Sequence, residues 1–523
     1  MKKMQRMLAA FLTLVLVLSL TACGSALESL ALTVSLPQEL TTLDPAMATT
    51  ATEKTVVNHL YENLMKLTAD AEGNVQLSNG VASHYQYENN PDGTQTWTFS
   101  LRGNAVWADG RQVTADDFVY AWRRLADPAT DSPNAYVLDM VAGYTEARKS
   151  GDMTKLQVSA ADRYTLVVVL SGNCLQFLQQ VCAETATMPV REDAAAVENW
   201  SMAASTLLTN GAYCHVESWE NGVLTVTSDE EYYDARRLGP RRLSFTFGAA
   251  SADADFVLTH EGVEEAEGWN LGSLPYTGTL VINQMSTISQ EMRQALSMVI
   301  DRQQISDLLG SVYEPADGLI PSGVRSTQGG VFRDGGALID TDPEQYEARC
   351  EAARALLRGQ TMPEEGNVSL AYVSDGATDQ VAKALQQTWR KELGVNVTLQ
   401  SMELEEMNDS LRKGDFTMAL VMLSCRRSDA VYMLEDWTSG AAGNYANIHS
   451  EAYDLLIRIS HASSSVEARD AYLEDAERLL LESGYVVPVC HMTDGWKLNE
   501  TLQGVFGDGL GQYYFHSVKK VEK

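Results

Sequence analysis

The sequence predicts an α/β protein of more than one domain that also carries a β-rich segment. Strand and helix patterns alternate between residues 280 and 423, whereas the segment after residue 66 is rich in strand patterns. The chain has 523 residues, of which 45% are hydrophobic, and this is enough to build several cores. No low-complexity linker separates the two halves, so the domains are expected to interleave along the chain.

The first half begins with a predicted strand at residues 31–36, which Pro37 ends. A helix is predicted from Thr114, because Thr114 with Asp117 three residues later resembles a capping box. The other elements predicted for this half are a helix over 52–66, a strand at 97–101 after the turn signal at 90–93, a second turn at 107–110, a strand at 165–170 and a helix around 174–182.

The second half alternates short apolar runs with amphipathic stretches. Such alternation is typical of a parallel sheet that is covered by helices. The predicted strands are 280–283, 368–373, 395–399, 416–423 and, near the end, 485–491; the predicted helices are 290–309, 378–393 and one between the strands at 395–399 and 416–423.

The N-terminus has the pattern of a secretory leader. A positive segment precedes an uncharged apolar run over 7–20, which is shorter than a membrane span of about 20 residues but suits a signal peptide. The run ends in Leu20-Thr21-Ala22-Cys23, which resembles a bacterial lipobox. This resemblance implies removal of residues 1–22 and lipidation of Cys23, with the protein on the outer face of the cytoplasmic membrane or in the periplasm. An ordinary signal peptide with an incidental cysteine is the alternative.

The net charge argues against a nucleic-acid partner, and the cysteine content bears on disulfides and metal sites. A formal net charge of −31 argues against a nucleic-acid partner, which requires a basic face, and favours solubility in an exposed compartment. The six cysteines beyond the lipobox permit disulfides, although buried free thiols fit equally well. They are Cys174, Cys182, Cys214, Cys350, Cys425 and Cys490. No Cys/His cluster has zinc spacing, so neither a metal nor another cofactor is expected.

One long block and several short pieces carry a family resemblance. The long block is LRGNAVWADG at residues 101–110, which continues to residue 128. The short pieces lie at 43–45, 60–62, 209–213, 293–296, 300–302 and 393–397. Together they resemble the extracytoplasmic solute-binding proteins of the oligopeptide, dipeptide and nickel group, and most of all its oligopeptide-binding lipoproteins.

The resemblance implies a two-lobed periplasmic-binding-protein-like fold of type II with an additional β-rich subdomain. Lobe I would combine residues 23–65, 190–277 and 486–523. Residues 66–189 would form the subdomain of lobe I, and residues 278–485 would form lobe II.

The implied function is capture of a peptide, most simply an oligopeptide, for the transmembrane subunits of an ABC importer. Two lobes of a monomer would close over the ligand and bind its main chain. Carriage of a nickel complex, another metal complex or a small anion, and peptide sensing without transport, stay open as alternatives. An enzyme is not expected, because the sequence has no Gly-x-Ser-x-Gly elbow.

One loop departs from the family pattern. Peptide-binding members place a Trp and then an Asp after a Gly-x-Phe strand, and that Asp pairs with the peptide's α-amino group. In this chain Leu423 falls at the Trp position, Arg426 or Arg427 at the Asp position, and Asp429 slightly later. Three interpretations stay open: Asp429 binds an ammonium group, Arg426 or Arg427 binds an anion, or none of them contacts the ligand.

Further candidates for ligand contact follow from the resemblance. Asn283 lies on the strand that starts lobe II, and Asn444 and Tyr445 follow the loop. Tyr136 is expected at the edge of the subdomain. Tyr213, at the start of a predicted strand, completes the candidates.

Overall fold

The computed structural model describes residues 30–521, except 71–72, 249–250, 252, 262, 264–267, 328–329, 334–335 and 364–365. The predicted leader over residues 1–22 and its Cys23 lie outside the described residues. Within the described ranges, no helix combines the length and the apolar character that crossing a membrane requires.

The first half of the chain contains several strands of a large sheet and a small β-rich unit. The first elements are β1 (Ala31–Leu36) and α1 (Ala51–Leu60). The β-rich unit contains β2 (Met65–Ala69), β3 (Val75–Asn79), β4 (Ala82–Asn89), β5 (Gln95–Leu101), α2 (Ala115–Ala126), α3 (Tyr144–Ser150), β6 (Val158–Asp162), β7 (Thr165–Leu170) and α4 (Phe177–Gln180). The chain then forms α5 (Glu192–Ala195), β8 (His215–Glu220), β9 (Val223–Thr227), β10 (Arg242–Phe247) and β11 (Phe256–Thr259).

The second half begins and ends with a long strand. Between β12 (Asn270–Ile282) and β17 (Val486–Leu498) lie α6 (Gln290–Met298), α7 (Arg302–Leu309), β13 (Tyr313–Pro315), α8 (Tyr346–Leu356), β14 (Ser369–Val373), α9 (Ala377–Leu393), β15 (Thr398–Met402), α10 (Leu404–Lys413), β16 (Met418–Ser424), α11 (Val431–Leu434), α12 (Glu451–Ala462) and α13 (Val466–Ser483). The short strands β18 (Leu502–Gln503), β19 (Phe506–Gly507), β20 (Tyr513–Tyr514) and β21 (Lys519–Lys520) follow.

A continuous sheet joins the two halves. Its order within the described residues is β15-β14-β16-β12-β17-β11-β1-β10-β9-β8, and β13 pairs with β17. The central strands β12 and β17 run antiparallel, but their register shifts between Ser273 and Thr277 and again between Gly278 and Thr279. Irregular pairing bends a strand and loosens its ladder. These two strands carry the chain between the halves, and we call them the hinge region.

Each half has its own hydrophobic core. Trp107 and Tyr213 of the first half belong to one cluster with Phe515 of the C-terminal segment; we call the unit around this cluster lobe I. In the second half, Leu280 and Val281 belong to different clusters, because successive strand residues point to opposite faces of the sheet. The sheet of this second unit, lobe II, is therefore buried on both faces, as expected of a sheet covered by helices.

The β-rich unit is a separate layer on lobe I. Its four-stranded antiparallel sheet has the order β4-β5-β7-β6. The rings of Trp97 and Phe99 pack against Phe177, and the indole of Trp122 donates to the carbonyl of Thr187 at 2.8 Å. The predicted β-rich subdomain is therefore present as a packed unit.

Most predicted elements are present. The strands at 31–36 and 165–170 have the predicted bounds, and the carboxylate of Asp117 accepts from the backbone N–H of Thr114 at 2.8 Å where α2 begins. The parallel arrangement predicted for the second half also occurs, since β14 pairs in parallel with both β15 and β16. β12, however, joins β16 antiparallel, so the sheet of lobe II is mixed.

The predicted helix over 52–66 ends early, at Leu60. The N–H groups of Gly211 and Tyr213 donate to the carbonyls of Leu60 and His59, at 2.8 and 3.1 Å, and so cap the end of α1 from a distant segment. A Cβ atom at Gly211 would lie 2.6 Å from the Leu60 carbonyl carbon, so only glycine fits there. A tertiary contact therefore sets this boundary.

Other boundaries also differ from prediction. The strand predicted at 280–283 is the end of β12, which starts at Asn270. The helix over 290–309 is two helices, because the carboxylate of Asp301 accepts from the N–H of Gln304 at 3.0 Å and begins α7 anew. The strand predicted at 395–399 is β15, which starts at Thr398, and the last long strand continues to Leu498. The helix around 174–182 is the single turn α4.

Candidate ligand-binding cleft

A cavity of about 900 Å³ opens on lobe II beside the hinge region. Its floor includes Gly278 of β12 and Val489 and Cys490 of β17. The walls come from residues 420–424 of β16, from α9 and α10, and from the loop over 436–445. Ligand sites commonly have volumes of about 300–1,000 Å³. The cavity is therefore large enough for a ligand of several residues.

A few polar side chains stand out on the mostly apolar wall. Asp375, Arg426 and Asp436 are the charged residues among the described lining residues, and Arg426 is the basic one. The guanidinium of Arg426 lies 3.7 Å from the carboxylate of Asp436, and its side chain is 57% exposed. Burial raises the pKa of the Asp436 carboxyl, while Arg426 opposes that rise. An apolar wall with few polar groups is typical of a binding site.

Three of the predicted residues, Leu423, Arg426 and Tyr445, line the cavity. Asn444 supports the loop beside it. The Asn444 side-chain amide donates to the carbonyls of Thr438 and Ile448, at 3.1 and 2.8 Å, and its carbonyl accepts from the N–H of Ile448. Asn444 therefore shapes the loop that presents Tyr445.

Asp429 lies outside the cavity and is buried. Its two carboxylate oxygens accept from Nη2 of Arg469 at 3.0 and 2.8 Å, and one of them also accepts from the N–H of Val431. A ligand ammonium group would have to take this carboxylate from Arg469 and leave a buried arginine unpaired. The carboxylate of Asp429 is therefore occupied by an internal ion pair in this structure.

Arg427 crosses from lobe II to the subdomain. Its Nη2 donates to the carbonyl of Tyr136 at 2.7 Å, and its guanidinium lies between the rings of Tyr136 and Tyr432. Next to it, the carbonyl of Ser428 accepts from the side-chain amides of Gln179 and Gln180, at 3.2 and 3.0 Å. Arg427 and Tyr136 thus form a contact between the two lobes rather than a part of the cavity wall.

Asn283 and Tyr213, also predicted to contact the ligand, make hydrogen bonds to the main chain. The Asn283 amide donates to the carbonyls of Gly414 and Phe416, at 2.9 and 3.2 Å, just beyond the end of β12. The hydroxyl of Tyr213 donates to the carbonyl of Pro240 at 3.0 Å inside the core of lobe I. Neither residue lines the cavity. Their polar groups are occupied by the main chain.

Lining residues that the sequence does not predict include Asp375, Tyr313, Asp436 and Trp437. Asp375 follows the strand β14 by two residues. Because ligands bind outside the carboxyl ends of parallel strands, this position could have identified it. The others come from separate elements that only the folded chain brings together.

A potential metal-ligating group lies away from the cavity. The ligand atoms of Cys214, His215 and Asp229 are within 4.8 Å of one another. None of the three lines the cavity, whose described lining residues contain no histidine.

This chain is similar to a known family of bacterial proteins. Residues 76–445 match the model of the bacterial extracellular solute-binding proteins, family 5 Middle. The periplasmic murein peptide-binding protein MppA of Escherichia coli K12 is 28% identical over 493 residues, covering 89% of this chain and 88% of MppA. The oligopeptide-binding protein OppA of Bacillus subtilis 168 is 25% identical over 516 residues, covering 93% of this chain and 92% of OppA.

Solved structures of relatives share the fold. The unliganded open form of the murein tripeptide binding protein MppA superposes with a TM-score of 0.81 at 27% identity, covering 95% of this chain and 98% of that one. Another structure of Escherichia coli MppA gives a TM-score of 0.63 at 26% identity, covering 95% and 99%. The two-lobed fold of this group with its extra subdomain is thereby confirmed. Because the family model matches more than half of this chain, the chain belongs to the bacterial extracellular solute-binding proteins of family 5.

Proposed function

We propose that this protein captures peptides between its two lobes and delivers them to the transmembrane subunits of an ABC importer. The observation that carries the proposal is the cavity of about 900 Å³ on the hinge strands. Relatives that cover most of this chain are named as murein peptide-, oligopeptide- and dipeptide-binding proteins. The ligand class of those proteins fits the size and the walls of the cavity.

The position of the cavity supports a closing mechanism, because lobe II and the hinge strands enclose the cavity on one side only. Its described lining residues come from lobe II and from the hinge strands, and none comes from the body of lobe I. The better superposition on an unliganded open form, 0.81 against 0.63, fits an open state of the two lobes. Bending at the irregular β12–β17 pairing would bring lobe I over the ligand and exclude water from it.

The proposed lobes follow the cores except at the start of β17, where Val486, Val487 and Val489 pack in the clusters of lobe II. Lobe I comprises residues 23–65, 190–277 and 486–523, with 66–189 as its subdomain, and lobe II comprises 278–485. The buried cluster of lobe I has members up to Leu258 and again from Leu502, whereas the clusters of lobe II extend from Leu280 to Val489. The boundaries at 278 and 486 fall on the hinge strands.

Cellular placement follows from the leader and from the relatives. We expect lipidation at Cys23 to hold a monomer on the outer face of the cytoplasmic membrane or in the periplasm. Several relatives, such as MppA and OppA of Escherichia coli, are named periplasmic proteins. Because members of this family bind solutes, we expect the ligand to be released without chemical change.

A second candidate function is carriage of an anion that is not a peptide. The wall is mainly apolar with a single arginine among its described residues, which suits an apolar acid. One relative, 26% identical over 86% of this chain, is named a probable deoxycholate-binding periplasmic protein of Escherichia coli. Peptide capture has the broader support, since most of the relatives are named for peptides.

Native mass spectrometry of the protein without its leader separates these two functions. After incubation with a pool of tetrapeptides of mixed sequence, we expect bound peptides of many sequences. Deoxycholate offered in a parallel sample is the probe for the second function. Retention of deoxycholate but of no peptide would overturn the proposal.

Leu404→Asp provides the test of the site, with Leu455→Asp as its matched control. Both leucines are exposed on helices of lobe II, 62% and 45%, but only Leu404 lines the cavity. A carboxylate on the apolar wall should weaken peptide retention by about tenfold, since desolvating it opposes ligand burial. Equal retention by the two variants would place the ligand elsewhere.

A further inference from the structure

We propose that Arg426 binds a carboxylate of the ligand, so that the protein selects peptides that present an anionic group to the wall of lobe II. The proposal rests on peptide capture by the cavity and adds the chemical class of the ligand to it. The bound group would be an acidic side chain or the free carboxyl end of the peptide.

The three charged residues of the loop, Arg426, Arg427 and Asp429, differ in how far they are buried. Asp429 and Arg427 have 2% and 3% of their surface exposed, and both are held by internal partners. Asp429 is paired with Arg469, and Arg427 is enclosed by tyrosine rings at the contact between the lobes. Only Arg426 of the three lines the cavity. An added ligand can therefore reach Arg426 without breaking a buried pair.

The guanidinium of Arg426 has donors to spare. It carries five N–H groups in a planar fork that matches a carboxylate. Among the described residues, its ion-pair partner is Asp436, and the 3.7 Å between Nη2 and the carboxylate is longer than a hydrogen bond. The arginine is thus attracted to Asp436 without being occupied by it.

Asp436 has the geometry of a positioning residue. It lies against the loop at Gly443, where a Cβ atom would be 2.7 Å from the Asp436 carboxyl carbon. The loop therefore holds this carboxylate at the cavity wall, where its charge attracts the guanidinium of Arg426.

Arg426 is the cation among the described lining residues, next to the carboxylates of Asp375 and Asp436. A chain with a net charge of −31 repels an anionic ligand at long range, so binding such a ligand requires a local cation. Leu423, Met422 and Met433 line the same cavity. Once the lobes close, these apolar groups lower the local dielectric and strengthen a charge-assisted hydrogen bond.

Calorimetric titration with matched peptides tests the proposal. The probes are alanine tetrapeptides with a single Glu or its isostere Gln at each position, each with a free or an amidated C-terminus. The wild-type protein should bind at least one anionic member about tenfold or more tightly than its neutral isostere. In Arg426→Gln that ratio should fall to within about twofold, with the affinity for the neutral peptide retained. Arg426→Lys should keep part of the ratio, because it keeps the charge and loses the fork.

Arg111→Gln is the matched control. Arg111 is 67% exposed and, like Arg426, faces an acid, but it lies on the subdomain and does not line the cavity. It should leave the ratio unchanged. Thermal unfolding curves that coincide for wild type and Arg426→Gln will show that any loss of binding is local.

Two outcomes would overturn the proposal. One leaves the proposed capture of peptides intact, and the other contradicts it as well. If the wild-type protein binds anionic and neutral isosteres equally, or if Arg426→Gln keeps the ratio, then Arg426 does not select the ligand while peptide capture stands. If no tetrapeptide binds in any form and the mixed pool is not retained either, then peptide capture fails together with this inference.

Discussion

Arg469 and Asp429 form a buried ion pair in which Nη2 donates to both carboxylate oxygens, at 2.8 and 3.0 Å. The side chains are 2% and 3% exposed. Arg469 lies on α13, and its Nη1 also donates to the hydroxyl of Thr327. The pair therefore ties the loop over 426–429 to the helical layer of lobe II and fixes where Arg426 stands.

Asp429→Asn should destabilise the protein by about 3–5 kcal/mol, because it leaves the buried charge of Arg469 without its partner. Urea unfolding at neutral pH will measure the change. Replacing both members with Asp429→Asn and Arg469→Met should cost less than the sum of the two single changes, since no unpaired charge is left. Arg426→Gln, the control on the same loop, should stay within about 0.5 kcal/mol of wild type. A stable Asp429→Asn variant that no longer binds peptide would restore Asp429 as the ammonium contact.

The ion pair also shows where sequence analysis stops. Strands, turns and the capping box at Thr114 depend on neighbouring residues, and the structure confirms them. Asp429 and Arg426 are three residues apart, and no local pattern distinguishes them. What separates them is Arg469, 40 positions away on another helix. Burial and partner choice at the site therefore depend on tertiary contacts that the one-dimensional pattern does not contain.

Asn283 and the end of α1 also depend on tertiary contacts that the sequence pattern does not contain. Asn283 occupies a strand end where a ligand contact is plausible, yet its amide is taken by the carbonyls of Gly414 and Phe416. The helix α1 ends at Leu60 because N–H groups from Gly211 and Tyr213 cap it. In both cases the partner lies more than 100 residues away in sequence.

Stability should depend on pH through Asp494, a fully buried residue of the hinge strand β17. Burial raises the pKa of its carboxyl to about 7, and nearby Asp508, whose own pKa is raised to about 6, adds to the effect. The folded protein thus keeps a proton that the unfolded chain releases at its ordinary pKa of 3.8. The free energy of unfolding should therefore fall by about 4 kcal/mol from Asp494 alone as pH rises from 4 to 8.

Urea unfolding between pH 4 and pH 8 checks this direction. Asp494→Asn should remove much of the fall, because the amide stays neutral and its oxygen can still accept from the hydroxyl of Tyr513. Asp92→Asn is the control, since Asp92 is exposed in a turn and its pKa is lowered. Parallel stability curves for wild type and Asp494→Asn would show that Asp494 is ionised in the folded state.

The described cysteines should all behave as free thiols. Cys174 is partly buried, and Cys182, Cys214, Cys350, Cys425 and Cys490 are buried, with none of them paired. Burial raises the pKa of Cys174 and of Cys425 to about 12, so the reactive thiolate is scarce at pH 8. In protein without the leader and Cys23, a thiol reagent should react slowly before denaturation and with six groups after it. Fewer than six groups in unreduced, denatured protein would show a disulfide.

Gly278 and Cys490 approach each other on the hinge strands at the cavity floor. A Cβ atom at position 278 would lie 2.7 Å from Sγ of Cys490, closer than packed atoms allow. Gly278→Ala should therefore cost about 1–3 kcal/mol of stability and weaken peptide binding, because it forces apart the strands that must bend together. Unfolding in urea and peptide titration will measure both effects.

Cys490→Ala supplies the compensating change at this contact. Removing Sγ opens the space that the new methyl group needs, so the double variant Gly278→Ala with Cys490→Ala should recover most of the stability and of the affinity lost by Gly278→Ala. Cys490→Ala alone should cost little, since it removes one atom from a small buried side chain. A hinge that depends on close strand contact must show this coupling. Additive effects of the two changes would mean that the strands bend without meeting at Gly278.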